Sequence, residues 1–267
     1  MLTALNWPGF ADVSLAALLF LCAAAFCAGA VDAIVGGGGL VQLPAMLLVL
    51  PGGEAIFSLA TNKIASIAGT SAAARTYARR TPIDWHSALS MAAVALLGSL
   101  GGAVVADRLS SRTLSVIVLV ALLAVGYYTL RTPDLGSIHT PRFGKRHQIL
   151  VMCVGGVVLG FYDGIAGPGT GSFLVFLLVG LVGFSFVAAS GTSKVVNVAT
   201  NVGALVFFIP AGKVLWGLGL AMAVCNVAGS VLGAATATKR GSRWIRKVFL
   251  FVVAALVVSL AVRLVAG

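Results

Sequence analysis

Four charged residues stand inside apolar stretches, where charge is costly: Asp32, Lys63, Asp163 and Lys194. They form two sets at one spacing, with 131 positions separating the aspartates and the same number separating the lysines. Each lysine closes a short polar triplet, Thr61-Asn62-Lys63 in one case and Thr192-Ser193-Lys194 in the other. Each aspartate precedes a glycine cluster, Gly36-Gly37-Gly38-Gly39 or Gly167-Pro168-Gly169-Thr170-Gly171. An ammonium at membrane depth needs water, an anion or a carboxylate beside it. A glycine-rich break frees backbone N–H groups and opens a helix N-terminus, which carries about half a positive charge and suits an anion. The pattern therefore reads as an anion site built from Gly36, Gly37, Gly38, Gly39, Thr61, Asn62, Lys63, Gly167, Gly169, Thr170, Gly171, Thr192, Ser193, Lys194 and Asn197. Asp32 and Asp163 are candidates for ion pairing or for coupling to an ion gradient. Ser66, Asn197 and Asn201 lie one to two turns beyond the lysines and extend the polar face. Tyr162, Gln42 and Thr170 flank the breaks as further donors.

Plainer readings stand beside these. The lysines could bind the solute, pair with the aspartates, or run their stems out to the interface. Clustered glycines could serve only close helix packing, the role expected of Gly98 and Gly229. Trp85 and Trp216 start aligned segments and read as interfacial anchors.

The elements that must position these residues follow from composition. Of 267 residues, 60% are hydrophobic and 9% charged, against about 25% charged in soluble domains. Only lipid accepts so apolar an exterior, and a spanning helix needs about 20 residues. The chain reads as an all-α polytopic membrane protein with ten apolar segments. Their spans are 13–35, 40–50, 55–74, 87–106, 113–130, 148–166, 172–181, 186–209, 214–237 and 248–264. The second and seventh are too short to cross alone, and each follows a glycine cluster. Within 55–74 and 186–209 each lysine lies about 12 Å from the nearer end, at 1.5 Å per residue.

Residues 131–147, with Pro133 and Pro141, read as a cytoplasmic linker between a first repeat, 1–130, and a second, 148–267. The repeat extends beyond the charged residues. At the same offset Trp85 meets Trp216, Met91 meets Met222, Gly98-Ser99 meets Gly229-Ser230 and Arg112 meets Arg243. The net charge is +11, and the basic residues collect between apolar segments at Arg75–Arg80 and Lys239–Lys247. These positions are not equivalent in the two halves. Basic loops are held in the cytoplasm, so five crossings per half would leave the halves inverted, with both termini outside. This distribution fits membrane topology better than nucleic-acid binding.

The run Asp32-Ala-Ile-Val-Gly-Gly-Gly-Gly-Leu40, then Pro44, Thr61-Asn62-Lys63 and Asp84-Trp85, resembles the TauE/SafE sulfite exporter family of the 4-toluene sulfonate uptake permease superfamily. Asp163-Gly-Ile-Ala-Gly-Pro-Gly-Thr-Gly171 and Gly191-Thr-Ser-Lys194 resemble its second repeat. The likeness covers nearly the whole chain. It implies a secondary transporter of the inner membrane acting on sulfite, sulfonates such as sulfoacetate, or other small organic anions. The chain departs from the pattern at Ala60, where glycine is expected, and at Pro44, whose counterpart is Val175.

Other classes fit less well. The histidines His86, His139 and His147 fall in loops or at segment ends, so Ser190 and Ser193 lack an evident base for hydrolysis. No G-x-x-x-x-G-K-[ST] appears for an ATP-driven pump. A passive anion channel stays open as the alternative to a carrier. The cysteines Cys22, Cys27, Cys153 and Cys225 show no metal or disulfide spacing, and no cofactor or metal is expected. The expected partners are a small anion, membrane lipid and a coupling proton or sodium ion; a homodimer is compatible. The first segment lacks a basic lead and should be retained as a helix, not cleaved as a signal.

Overall fold

The computed structural model describes residues 9–10, 13–50, 55–106, 140 and 142–266. Every regular element among the described residues is helical. Helix α1 is Leu15–Val35, α2 Gly39–Val49, α3 Ala55–Ala78 and α4 Trp85–Val105. Helix α5 is Lys145–Ile165, and α6 is Thr170–Phe176, continued by a wider π-helical turn at Leu177–Val182. Helix α7 is Phe186–Phe208 and α8 is Trp216–Ala266. The expected segment 113–130 lies outside the described residues, as does most of the linker.

Several boundaries differ from the sequence reading, among them that of α3, which runs past the expected 74 to Ala78 and takes Arg75 into the helix. The helix expected at 148 starts at Lys145, inside the expected linker. The segment expected at 172–181 begins at Thr170 and changes to π-helix after Phe176. The ninth and tenth segments form one helical run, interrupted only at Gly241 (φ 75°). The basic stretch Lys239–Lys247 is therefore a bent helix and not a loop. Polar side chains alone do not end a helix; this stretch has one glycine and no proline, so the backbone hydrogen bonds run on either side of a single kink.

Leu15–Val35, Trp85–Val105, Lys145–Ile165 and the run from Trp216 to Phe251 are long and apolar enough to cross a bilayer. Their outer faces carry exposed Leu19, Leu97, Val158 and Val224. The interior is packed with apolar side chains and also holds the polar ones: Thr61, Lys63, Ser99, Asp163, Ser172, Lys194, Thr200 and Ser230 are all buried. Polar groups kept inside and apolar ones facing out are what lipid imposes.

The halves interlock. Helix α1 packs on α8, and α4 packs on α5, through small residues. A Cβ at Gly98 would lie 2.5 Å from the Val157 carbonyl oxygen, and one at Gly229 would lie 2.0 Å from that of Phe26. Positions 26 and 157 are 131 apart, like 98 and 229, so the same contact is made twice with the halves exchanged. Gly98 and Gly229 are packing residues, as expected.

One end of the bundle gathers basic residues. The Arg80 guanidinium donates to the Ala235 carbonyl and the Thr238 hydroxyl, each at 3.4 Å. The Val187 N–H donates to the Ser242 hydroxyl at 3.4 Å, and Lys145 pairs with Asp84. The end of α3, the start of α7 and the kink of α8 therefore share this end. At the other end the Leu215 N–H donates to Thr61 Oγ1 at 3.0 Å, and Lys213 Nζ sits 5.0 Å from the Phe57 ring centroid. Helices α3 and α7, the two that carry the lysines, thus run antiparallel. Asp84 caps α4 at the basic end, accepting from the Ser87 N–H at 3.4 Å and its hydroxyl at 2.6 Å. Burial opposes ionisation there, but Lys145 and Ser87 outweigh it and hold the carboxyl below the ordinary carboxylate range.

Candidate functional site

Helix α1 ends because Gly36 and Gly37 take φ of 80° and 100°, and α5 ends at Gly167, with φ 80°. The two breaks cross in contact: a Cβ at Gly36 would fall 2.1 Å from the Gly171 carbonyl carbon, and one at Gly171 would fall 2.7 Å from the Gly36 Cα. The Ser172 hydroxyl closes the crossing by donating to the Gly36 carbonyl at 3.1 Å. Beyond it α2 leads toward the non-basic end and α6 toward the basic end. At 1.5 Å per residue the 11 residues of α2 cover about 16 Å, roughly half of a 30 Å core.

The lysines bind across the repeat. Lys63 Nζ of α3 donates to Asp163 Oδ2 at 2.6 Å and to the Asp163 carbonyl at 2.9 Å. Lys194 Nζ of α7 donates to Asp32 Oδ2 at 3.0 Å and also to the Asp32 carbonyl. Each half supplies the cation to the other half's carboxylate. Each ammonium also sits at the C-terminal turn of α1 or α5, where exposed carbonyls carry partial negative charge. Lys63 is 1% exposed and Lys194 0% exposed, so neither runs out to the interface. Gly167 makes room for Lys63: a Cβ there would lie 3.2 Å from Nζ.

Between the two ion pairs lies a cavity lined by Asp32, Asn62, Lys63, Ser66, Thr70, Asp163, Asn197 and Asn201, and by Gly37, Gly39, Gly167, Gly169 and Gly171. Its free space is about 20 Å³, enough for about one water. The Thr70 hydroxyl donates to Asp32 Oδ2 at 3.3 Å, and the Gly38 N–H lies 3.5 Å from Asp32 Oδ1. The Asn197 side-chain oxygen accepts from Thr200 and Asn201, each at 3.2 Å. Asn62 Oδ1 is buried without a partner.

Several expected residues turn elsewhere. Thr61 Oγ1 accepts the Leu215 N–H at the start of α8, and Thr192 lines a separate cleft with Asp84 and Lys145. Two residues before a lysine is about 200° around a helix, which points to the opposite face. The Ser193 hydroxyl donates to the Ser190 carbonyl at 2.9 Å, and that of Thr170 to the Gly167 carbonyl at 2.8 Å. Gly36 serves the crossing of the breaks, and Lys194 and Gly38 lie outside the cavity lining, on Asp32. Tyr162 donates to the Pro168 carbonyl at 2.6 Å, outside the cavity lining. Sequence reasoning missed Thr70, seven residues past Lys63 and so on its face.

Residues 21–260 match the family described as sulfite exporter TauE/SafE. The chain belongs to this family. A probable membrane transporter protein, ORF9, from Sinorhizobium sp. is 34% identical over 255 residues, covering 96% of this chain and 95% of that one. The probable membrane transporter protein YfcA of Escherichia coli K12 is 32% identical over 85% of this chain and 83% of its own. A probable membrane transporter protein of Haemophilus influenzae is 31% identical, over 88% and 91%. No solved structure matches the chain. In this TauE/SafE protein the serines weighed for hydrolysis are occupied with backbone: Ser190 donates to the Ile34 carbonyl at 3.1 Å and Ser193 to that of Ser190. The protein is a multi-pass membrane transporter.

Proposed function

We propose that the chain is a secondary transporter for a small anion of the sulfite and sulfonate class, with Lys63 and Lys194 as its solute ligands. The single observation that carries this reading is the pair of buried lysines, each held by a carboxylate of the opposite half, with Lys63 and both carboxylates lining one cavity and Lys194 behind Asp32. A carboxylate is itself a small oxyanion with two acceptor oxygens. A solute sulfite or sulfonate group presents the same acceptors and can take over the same ammonium, with Ser66, Thr70 and the Asn197 NH2 group as further donors. The space between the pairs is too small for such a solute while both pairs stand, so binding must displace a carboxylate.

We infer that the halves lie inverted across the inner membrane, with the basic end cytoplasmic and residues 1–130 and 148–267 as the two repeats. The antiparallel course of α3 and α7 and the placing of Trp85 and Trp216 at opposite ends support this. Sulfite, sulfoacetate and short carboxylates would be offered to the purified chain in liposomes. Saturable uptake of a sulfur oxyanion, lost in Lys63→Met and Lys194→Met, is the expected result. Equal uptake by wild type and both variants would remove the lysines from the mechanism.

A further inference from the structure

The charges around the cavity cancel. Lys63 and Lys194 contribute two positive charges, and Asp163 and Asp32 two negative ones. Asp32, Lys63 and Asp163 line the cavity, and Lys194 stands behind it, paired with Asp32; among the described residues no other charged side chain joins this group. Among the described residues, α2, α6 and α7 carry no further charge, and α8 carries none before Lys239. Arg75 on α3, His86 on α4, and Lys145, Arg146 and His147 on α5 all sit in terminal turns at the basic end. The titratable phenols of Tyr77 and Tyr162, close to the aspartates along the chain or across it, are uncharged and donate to the Ala33 and Pro168 carbonyls.

A group of four buried charges tolerates neutrality and resists any departure from it, because an uncompensated charge in a low-dielectric interior is far costlier than a hydrogen bond. An arriving anion adds negative charge to a site whose balance is already zero. It takes a lysine from its aspartate, leaving that carboxylate buried with no cation. The simplest restoration is one proton on the displaced carboxylate for each negative charge that enters. The site has two lysines and two carboxylates, so it can do this once or twice.

We propose that this TauE/SafE protein moves anions electroneutrally with protons: one proton on Asp32 or Asp163 for a monoanion, and one on each for a dianion. The inference rests on the transport reading above and adds the coupling ion and its stoichiometry. It also separates the proton from the solute, since the proton rides on the protein.

The test uses full-length protein in liposomes with two solutes that stay fully ionised near neutral pH, an alkyl monosulfonate and sulfate. Neither can carry the proton itself. Tracer exchange without any gradient is measured first. A pH step of one unit is then imposed with the voltage clamped at zero, and separately a voltage with no pH step. The monosulfonate should accumulate about tenfold per pH unit, and sulfate about a hundredfold, because each co-transported proton contributes about one decade. Voltage alone should move neither. Asp163→Asn, which leaves the empty site with one excess positive charge, should make monosulfonate flux voltage-driven and insensitive to pH. Flux in wild type that follows voltage, or a sodium gradient in place of a proton gradient, overturns the coupling and leaves the transport reading intact. Absence of tracer exchange for every anion overturns both. The wild-type arm decides the matter even if Asp163→Asn does not fold, and the monosulfonate arm decides it if sulfate is not exchanged.

Discussion

The two ion pairs occupy equivalent positions in the repeat but are held differently. Asp163 takes Lys63 at 2.6 Å, and both side chains are almost wholly buried. Asp32 is 14% exposed in its side chain and shares its carboxylate among Lys194, the Thr70 hydroxyl and, more distantly, the Gly38 N–H. The difference traces to one pair of aligned residues. Thr70 turns its hydroxyl to Asp32, whereas Asn201, its counterpart, spends its NH2 group on Asn197 at 2.7 and 3.2 Å. A second difference lies behind α3. Gln42 accepts from Asn226 at 2.9 Å, and the Ser230 hydroxyl donates to Asn226 Oδ1 at 3.3 Å. The residues aligned with Gln42 and Asn226 are Phe173 and Ala95, so α2 has a side-chain tether to α8 that the aligned positions of α6 and α4 cannot make. The shared spacing thus fixes a symmetric charge framework, and the aligned residues that differ make its two sides unequal.

The sharpest way to break the comparison is to remove each lysine in turn. Lys63→Met leaves Asp163 buried without a cation, which should cost about 3–5 kcal/mol of stability and abolish flux. Lys194→Met should abolish flux but cost less, because Thr70 still serves Asp32. Thermal melting in detergent compares the two. Pairing Lys63→Met with Asp163→Asn should restore most of the stability and none of the flux. If it restores flux, the lysine is structural.

Next in size is the crossing of the breaks. Gly36→Ala places a methyl 2.1 Å from backbone, at φ 80°, and should cost about 3 kcal/mol or more. Gly167→Ala carries the same strain at φ 80°, but its methyl meets the flexible tip of Lys63 at 3.2 Å and no backbone atom closer than the Asp163 carbonyl oxygen at 3.6 Å, so it should cost about 1–2 kcal/mol, less than Gly36→Ala, and lower solute affinity as well. Equal losses of stability would show that both breaks are packing devices alone.

Smaller still is Thr70→Val, which removes one hydrogen bond from Asp32 and should cost about 1 kcal/mol. Asn201→Ala should leave the Asp163 pair untouched, and a double-mutant cycle with each aspartate measures the contrast.

The smallest effect lies outside the site. Asp84→Ala removes the cap of α4, at about 1 kcal/mol. Because the folded state holds this carboxyl below its ordinary range, its stabilisation is present above that range and is lost as pH falls through the folded value. The variant should therefore show a shallower fall in melting temperature than wild type between pH 7 and pH 3.

The sequence by itself determined the membrane class, the internal self-similarity, the interrupted helices and the four charges that pair in the interior. Those features are written in composition and in a spacing of 131, and the lipid solvent leaves few other ways to arrange them. It also supplied Asn62, Asn197 and five of the lining glycines, because residues beside a break or one turn from a lysine cannot easily avoid the same hollow. Only the tertiary structure decided which aspartate each lysine meets. Lys63 with Asp32 and Lys63 with Asp163 are equally consistent with the spacing; the crossing of Gly36 over Gly171 chooses the second. Helix spacing from the lysines already puts Thr61 and Thr192 off the cavity face and Thr70 on it, but which partner each meets, the Leu215 N–H, a separate cleft or Asp32, depends on how α3 and α7 pack. The run through Lys239–Lys247 follows the same logic: basic residues mark a side of the membrane, but whether the backbone there coils or loops depends on the hydrogen bonds and the neighbours it finds.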